Sequence, residues 1–379
     1  MKSLELFDCL MTDVMRQHPQ YRRALMKDLS VIHERVKHEG FTFLSVTLPR
    51  LGDAVFSGLE SGNFACPTSF KKKGSLPLLL GGLIALVFDS SGRVRSNVDP
   101  CILHEIRQIT YFFKKSLGTD KQEEILNDAA CDSFFQTDED CFDDGQDIPH
   151  SLALQRIARV LWRPTSFEDL RRSNPKNGPG GVSESLKTNE KYRHILGSIP
   201  DDMLWILDSP YIEMYGESSG NQKQRHCYSR LVSVPKNSTS RRTITVEPAT
   251  NMFVQQQLNE VIRAKISLSP LLASSLALND QSVSQKRALE SSLHREYATV
   301  DLSSASDLLS NSLVKLVFAH DAVLLEALQQ SRTEWVTGPK WSWKLKKYAG
   351  MGNATTFPVQ SIVFAVLSVY AICVESGRP

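Results

Sequence analysis

The run Tyr297-Ala298-Thr299-Val300-Asp301-Leu302-Ser303-Ser304-Ala305-Ser306-Asp307 decides how the chain is read. β-Branched residues lead into an acid, the pattern of a strand that ends on a carboxylate. The serines that follow favour helix N-caps. Leu308, Leu309, Ser312, Leu313, Leu316 and Val317 then form the apolar stripe of a helix. A carboxylate ending a central strand can be held rigidly beside a metal ion. Taken alone such an acid is more often a cap or a surface residue, so its neighbours must decide.

Downstream, Trp335 to Trp341 reads as a hairpin turn, and Trp341, Trp343 and Leu345 alternate with Ser342, Lys344 and Lys346. That alternation, and Tyr348, fit packing better than base stacking. Gly350-Met351-Gly352-Asn353 is a flexible loop whose glycines let backbone approach a sugar or base. It runs into a long apolar helix from about Thr355.

Upstream, Lys223 to Arg242 holds six cations and no acid. Within it, Ser229–Val234 and Thr243–Val246 read as strands joined by a turn at Pro235–Ser238. The loop presents Lys236, Arg241 and Arg242, a grouping able to neutralise a triphosphate. Magnesium binds through one or two carboxylates together with substrate phosphates, so this loop and Asp301 make chemical sense together. After Glu247-Pro248, Val254, Leu258, Val261 and Ile262 fall at helical spacing.

Composition sets the frame. The chain has 379 residues, 41% hydrophobic and 23% charged, with a net charge of +2, so an anionic ligand must be met by local clustering. Seven cysteines, none in a Cys-x-x-Cys pair, argue against a zinc ribbon or a secreted disulfide scaffold and for a reducing cytosol. The apolar runs Leu76–Phe88 and Phe357–Val374 are read as buried core rather than membrane spans. The acids between Glu123 and Asp147 are read as a solvated acidic loop; a calcium loop starting at Asp140 would put Phe142 in a ligand place. Residues 1–165 read as a mixed, mostly helical layer.

Several motifs together carry a resemblance. They are Val-Pro-Lys-Asn-Ser at 234–238, Arg-x-Ile-x-Val-Glu-Pro at 242–248, Asn-Met-Phe at 251–253, Leu-Asn-Asp-Gln at 278–281, Ala-Thr-Val-Asp-Leu-Ser-Ser-Ala-Ser-Asp at 298–307 and Met-Gly-Asn-x-x-Thr-Phe at 351–357. The set resembles the RNA-dependent RNA polymerases of single-stranded RNA bacteriophages, the levivirus-type replicase β subunit. Thr-Leu-Pro-Arg-Leu-Gly at 47–52 and Gly-Pro-Gly-Gly at 178–181 are similar to phage replicases more loosely.

The resemblance implies an α+β right-hand polymerase with fingers, an incomplete palm and no thumb. Its implied divisions are an N-terminal region at 1–165, fingers at 166–286 and a partial palm at 287–379. It implies that Asp301, with the Leu302 carbonyl, binds Mg2+, and that Lys236 and Arg242 grip the triphosphate. Ser306 or Asp307 would sense the ribose 2′-hydroxyl, and Gly352, Asn353 and Thr356 would check nucleotide and template.

The implied reaction is template-directed: a 3′-hydroxyl attacks the α-phosphate of a ribonucleoside triphosphate and pyrophosphate leaves. The implied partners are a single-stranded RNA template and host translation factors, in the cytoplasm of an infected bacterium with no membrane attachment. The family's Gly-Asp-Asp hairpin is absent; Asp143-Asp144-Gly145 has the reverse order and lies far upstream. The expectation is therefore a chain that stops inside the palm and does not polymerise by itself, because two-metal transfer needs ligands for both ions. Two other readings are weighed. One is a reverse transcriptase, disfavoured by the small residues Ser303–Ser306; the other is a non-catalytic RNA-binding or replicase-assembly protein.

Overall fold

The architecture comes from a computed structural model, which describes residues 2–116, 120–143, 145–195, 199–215, 228–338 and 341–377. The chain separates into two compact units, residues 1–130 with 234–242 and residues 131–233 with 243–379.

The first unit is helical. Its helices are α1 (Lys2–Gln17), α2 (Arg22–Glu39), α3 (Leu48–Ser61), α4 (Gly81–Val87) and α5 (Pro100–Tyr111), with a minimal ribbon of β1 (Lys72–Lys73) and β2 (Leu76–Pro77). Helix α6 (Asp120–Glu139) begins in this unit and ends in the second. Phe7, Met11, Leu25, Leu51, Ile84 and Ile106 meet in one core. The Thr-Leu-Pro-Arg-Leu-Gly motif opens α3, where a Cβ on Gly52 would lie 2.4 Å from Thr110 Oγ1. That motif is thus a close helix–helix contact. The apolar run Leu76–Phe88 is core, as its length suggests, with Leu80, Ile84, Val87 and Phe88 fully buried.

In the second unit follow α7 (Ser151–Leu161), α8 (Phe167–Arg171), α9 (Thr188–Ile195), α10 (Asp201–Leu204) and α11 (Ser209–Tyr215). Next come the hairpin of β3 (Tyr228–Asn237) and β4 (Ser240–Val246), whose residues 234–242 count with the first unit, then α12 (Ala249–Leu268), α13 (Pro270–Ser275) and α14 (Ser282–His294). The last elements are α15 (Asn311–Phe318), α16 (Ala322–Ser331), β5 (Trp335–Thr337), β6 (Ser342–Lys344) and α17 (Thr356–Glu375). The four strands lie in the order β4-β3-β5-β6, with β3 parallel to β5 and β5 antiparallel to β6. Helix α12 is the axis of this core, burying Phe253, Val254, Leu258, Val261 and Ile262. Asp321, fully buried, caps α16 through Leu324 N and also accepts from Trp162 Nε1 and Thr165 Oγ1.

The β3–β4 hairpin confirms the two strands read at 229–234 and 243–246, the second with its alternation, but the strands run longer and the turn is only Ser238–Thr239. Asn237 Oδ1 makes that possible by accepting from Thr239 N, Thr239 Oγ1 and Ser240 Oγ. Pro339 and Lys340, in the expected β5–β6 turn, lie outside the described residues, as do Lys223 and Arg225 of the basic run.

Three expectations need correction. Tyr297–Leu302 is not a strand: residues 295–302 are irregular, and Tyr297 and Val300 are 67% and 78% exposed. β-Propensity alone does not make a strand, which needs a neighbour for its N–H and C=O groups; among the described residues none pairs with this run. The acidic stretch is not a loop either: α6 takes up most of it, and Asp138 is fully buried. Finally, α17 is core only in its first half, at Val359, Ile362, Val363 and Val366. Its far end exposes Ile372 and Val374, and by length and apolarity alone it could cross a membrane.

The glycine loop has a structural reason for its composition. Gly352 sits at φ +136°, and a Cβ there would lie 1.9 Å from the Thr245 carbonyl oxygen of β4. A Cβ on Gly350 would meet Thr245 Cγ2 at 2.3 Å, and Thr245 N donates to Met351 O at 2.8 Å. The loop is therefore pressed against β4 and anchored there.

Two outcomes follow from this packing. Gly352→Ala should cost about 3 kcal/mol in urea unfolding, from backbone strain and the carbonyl clash, while Gly181→Ala, with open space around it, should cost less than about 0.5 kcal/mol. In the first unit, burial raises the Asp28 carboxyl from 3.8 to about 6, although Leu80 N donates to it at 3.1 Å. Below about pH 4 the group is protonated folded or unfolded and costs nothing. From there to about pH 6 the unfolded chain ionises first, so stability falls, and above that the whole penalty is present. Asp28→Asn should thus stabilise by about 2 kcal/mol at pH 7 and be neutral at pH 4, as measured by urea midpoints.

Candidate functional site

Lys236 and Arg242 are both exposed on the β3–β4 hairpin, in the first unit. The third cation of the loop is different. Arg241 is tucked in and ion-paired with Glu123 of α6. Of the three, Lys236 and Arg242 remain presented to solvent.

The other candidates belong to the second unit. Asp301 is exposed in the irregular run after α14, and its carboxylate has no hydrogen bond or ion pair among the described residues. Leu302 beside it is 55% exposed. A turn follows in which Ser304 takes a positive φ, Leu308 N donates to Ser304 O at 2.9 Å and Leu309 N to Ser306 O at 3.4 Å. Ser306 and Asp307 are half-buried on it. The turn is stitched to the segment between β6 and the glycine loop by Tyr348 N to Leu309 O and Asn311 N to Lys346 O. Asp307 pairs with Lys347 at 3.2 Å, and Lys347 is fully buried.

Asn353 and Thr356 are not free to reach a ligand with every atom. Asn353 Oδ1 accepts from Thr355 N at 2.8 Å and Thr355 Oγ1 at 2.7 Å, turning the chain into α17, while its buried Nδ2 has no partner among the described residues. Thr356, also buried, donates from Oγ1 to Gly350 O at 3.2 Å. The loop thus joins Gly352, Asn353 and Thr356 in one rigid feature, with one amide donor to spare.

Beneath it lies a polar centre that none of the candidate-residue expectations included. Glu247 is fully buried and accepts from Thr333 Oγ1 at 2.5 Å and Gln255 Nε2 at 3.0 Å. Burial pushes its carboxyl up, opposed by hydrogen bonds from Thr333, Gln255 and Thr245 and by the charge of Arg332. Arg332, 4% exposed, donates to the carbonyls of Tyr348, Leu345 and Lys347. Gln255 Oε1 in turn accepts from Ala354 N at 3.3 Å. A signal for Glu247 was present: Thr243, Thr245 and Glu247 are spaced by two, and all three face inward.

A metal needs more than this. Asp301 and the Leu302 carbonyl are hard oxygen donors of the kind magnesium takes, but no group of three or more His, Cys, Asp or Glu placed to hold an ion occurs among the described residues. The described residues do not complete a two-ion centre.

Known proteins align with the same region. A family model described as RNA replicase, beta-chain, matches residues 209–378. The RNA-directed RNA polymerase subunit beta of Qbeta virus (strain MX1) is 41% identical over 143 residues, 37% of this chain and 23% of that protein. The RNA-directed RNA polymerase beta chain of Enterobacteria phage GA is 34% identical over 164 residues, 42% of this chain and 29% of that one. That of Escherichia phage MS2 is 34% identical over 136 residues, covering 35% and 23%. The matched stretch thus spans only about a quarter of the length of these relatives. The family-model stretch 209–378 contains every candidate side chain described above, and over it the chain is similar to the phage replicase beta chains.

Proposed function

We propose that this chain supplies the nucleotide-gripping and part of the palm elements of an RNA-directed RNA polymerase that copies a phage RNA genome. The observation that carries this reading is the replicase match across 209–378, which encloses the exposed cations of the hairpin, Asp301 and the glycine loop. In this reading Lys236 and Arg242 neutralise the triphosphate, and Asp307 or Ser306 accepts from the ribose 2′-hydroxyl. The rigid loop at Gly352, Asn353 and Thr356 lies against base and sugar, with Asn353 Nδ2 the donor left for them. Asp301 and the Leu302 carbonyl contribute oxygens toward Mg2+, which supplies charge neutralisation at the phosphates when bound. The rest of the ligand set is not among the described residues, so no step is derived through the ion. The residues at 166–286 would be fingers and those at 287–379 a partial palm. A single-stranded RNA template and bacterial translation factors would be the partners, in the cytoplasm of the infected cell.

The 379-residue chain is accordingly expected to bind ribonucleotides without polymerising them. Titration with fluorescent ATP should show binding that weakens as salt rises. Lys236→Ala with Arg242→Ala should lower affinity about tenfold or more, the loss of about 1.4 kcal/mol of charge-assisted contact. Radiolabel incorporation on a primed template should stay at background. Tighter binding of dATP than ATP would favour a reverse transcriptase. Salt-sensitive RNA binding with no nucleotide affinity, indifferent to magnesium and to Asp301→Asn, would favour a non-catalytic RNA-binding protein.

A further inference from the structure

Lys347 is fully buried between α6 and the turn that carries Asp307. Its ammonium has three hydrogens and three acceptors: Phe134 O at 3.2 Å, Thr137 Oγ1 at 3.4 Å and Asp307 Oδ1 at 3.2 Å. It also lies 3.8 Å from the centre of the Phe134 ring. The backbone at the other end of the side chain is fixed as firmly. Asp138, buried at the end of α6, accepts from Lys347 N at 2.9 Å, Lys346 N at 3.2 Å and Trp343 Nε1 at 2.7 Å. The carbonyl of Asp307 accepts from Cys141 Sγ, so the turn is held at main chain and side chain alike.

A cation taken wholly out of water is costly unless its partners are all in place, and here a packed core could have used an apolar residue instead. What the charge achieves is the placement of one carboxylate. Asp307 Oδ1 is committed to Lys347, the side chain is 15% exposed, and Oδ2 has no partner among the described residues.

We propose that Lys347 is the positioning residue for Asp307, and that by fixing which carboxylate oxygen faces the nucleotide it sets the preference for ribose over deoxyribose. This rests on the polymerase reading above. A 2′-hydroxyl donates to a carboxylate, and a site built to accept that bond rejects the sugar that lacks it, because a buried oxygen is then left unpaired. An Asp307 side chain free to rotate would meet water with either oxygen and lose that discrimination. Asp138 belongs to the same device one step back, holding the backbone from which Lys347 extends.

The test compares ATP and dATP affinities for the full chain and for Lys347→Met, Lys347→Arg, Asp307→Asn and the Lys347→Met/Asp307→Asn double variant, each checked for cooperative melting. Loss of structure weakens both nucleotides alike, so the ATP-to-dATP ratio is the informative readout. Lys347→Met should lower the ratio about tenfold, the double variant no further than the stronger single one, and Lys347→Arg should keep most of it. If Lys347→Met does not fold, Lys347→Gln, which retains a donor for Phe134 O without the charge, carries the same comparison. A folded Lys347→Met or Lys347→Gln with an unchanged ratio overturns the proposal while leaving the polymerase reading intact. Failure of the wild-type chain to prefer ATP over dATP overturns both.

Discussion

The second unit depends on a charged side chain buried where the chain has no regular structure to satisfy its backbone. The segment from Leu345 to Tyr348 leaves β6 and approaches the glycine loop, and three of its carbonyls point inward. Arg332 answers all three from one planar guanidinium, a task for which five fixed donors suit it better than a lysine. Glu247, on the same buried side, is bonded to Thr333 and Gln255, and Gln255 reaches on to Ala354. Strand β4, helix α12 and the loop before α17 therefore share one polar network. Removing either charge would strand the other groups without partners, which in a dry interior is worse than an apolar replacement of the whole set.

That network explains why sequence patterns read some parts of the molecule well and others poorly. Local pattern found β4 and the buried stripe of α12, where burial on one face repeats at its own period, and composition found β3 and the apolar run of α17. Tyr297–Leu302 shows the opposite case: its residues favour a strand, but strand formation is decided by a partner elsewhere, which a local window cannot contain. Lys347 and Asp138 are also invisible in composition. Each sits in a run of like charges, with exposed Lys344 and half-buried Lys346 beside Lys347 and exposed Glu139 and Asp140 beside Asp138, and nothing local marks the one member that turns inward.

The candidate residues divide the same way. Charge clustering pointed rightly to an exposed Lys236 and Arg242 but could not foresee that Glu123 occupies Arg241. For Gly352 the motif suggested room for a ligand, yet the closest neighbour is the protein's own β4 carbonyl. The two ideas are compatible. A loop locked against a strand on one side presents its other side in a single conformation, and a preorganised surface loses less freedom on binding.

Six residues apart on one segment, Asp301 and Asp307 embody two ways of holding a carboxylate. Asp307 is set by contacts within the fold: a turn laced to the segment after β6, a buried ammonium and a thiol donor to its own carbonyl. Among the described residues Asp301 has none of these, and its segment pairs with no strand. Packing can therefore account for the orientation of the group read here as recognising the sugar. The acid read as holding the metal acquires its orientation only from what binds it, an ion, a phosphate or a pairing strand. On the reading proposed above, the sugar-recognising carboxylate would be set before the metal-binding one, because Asp307 is oriented by its own fold while Asp301 has no partner among the described residues.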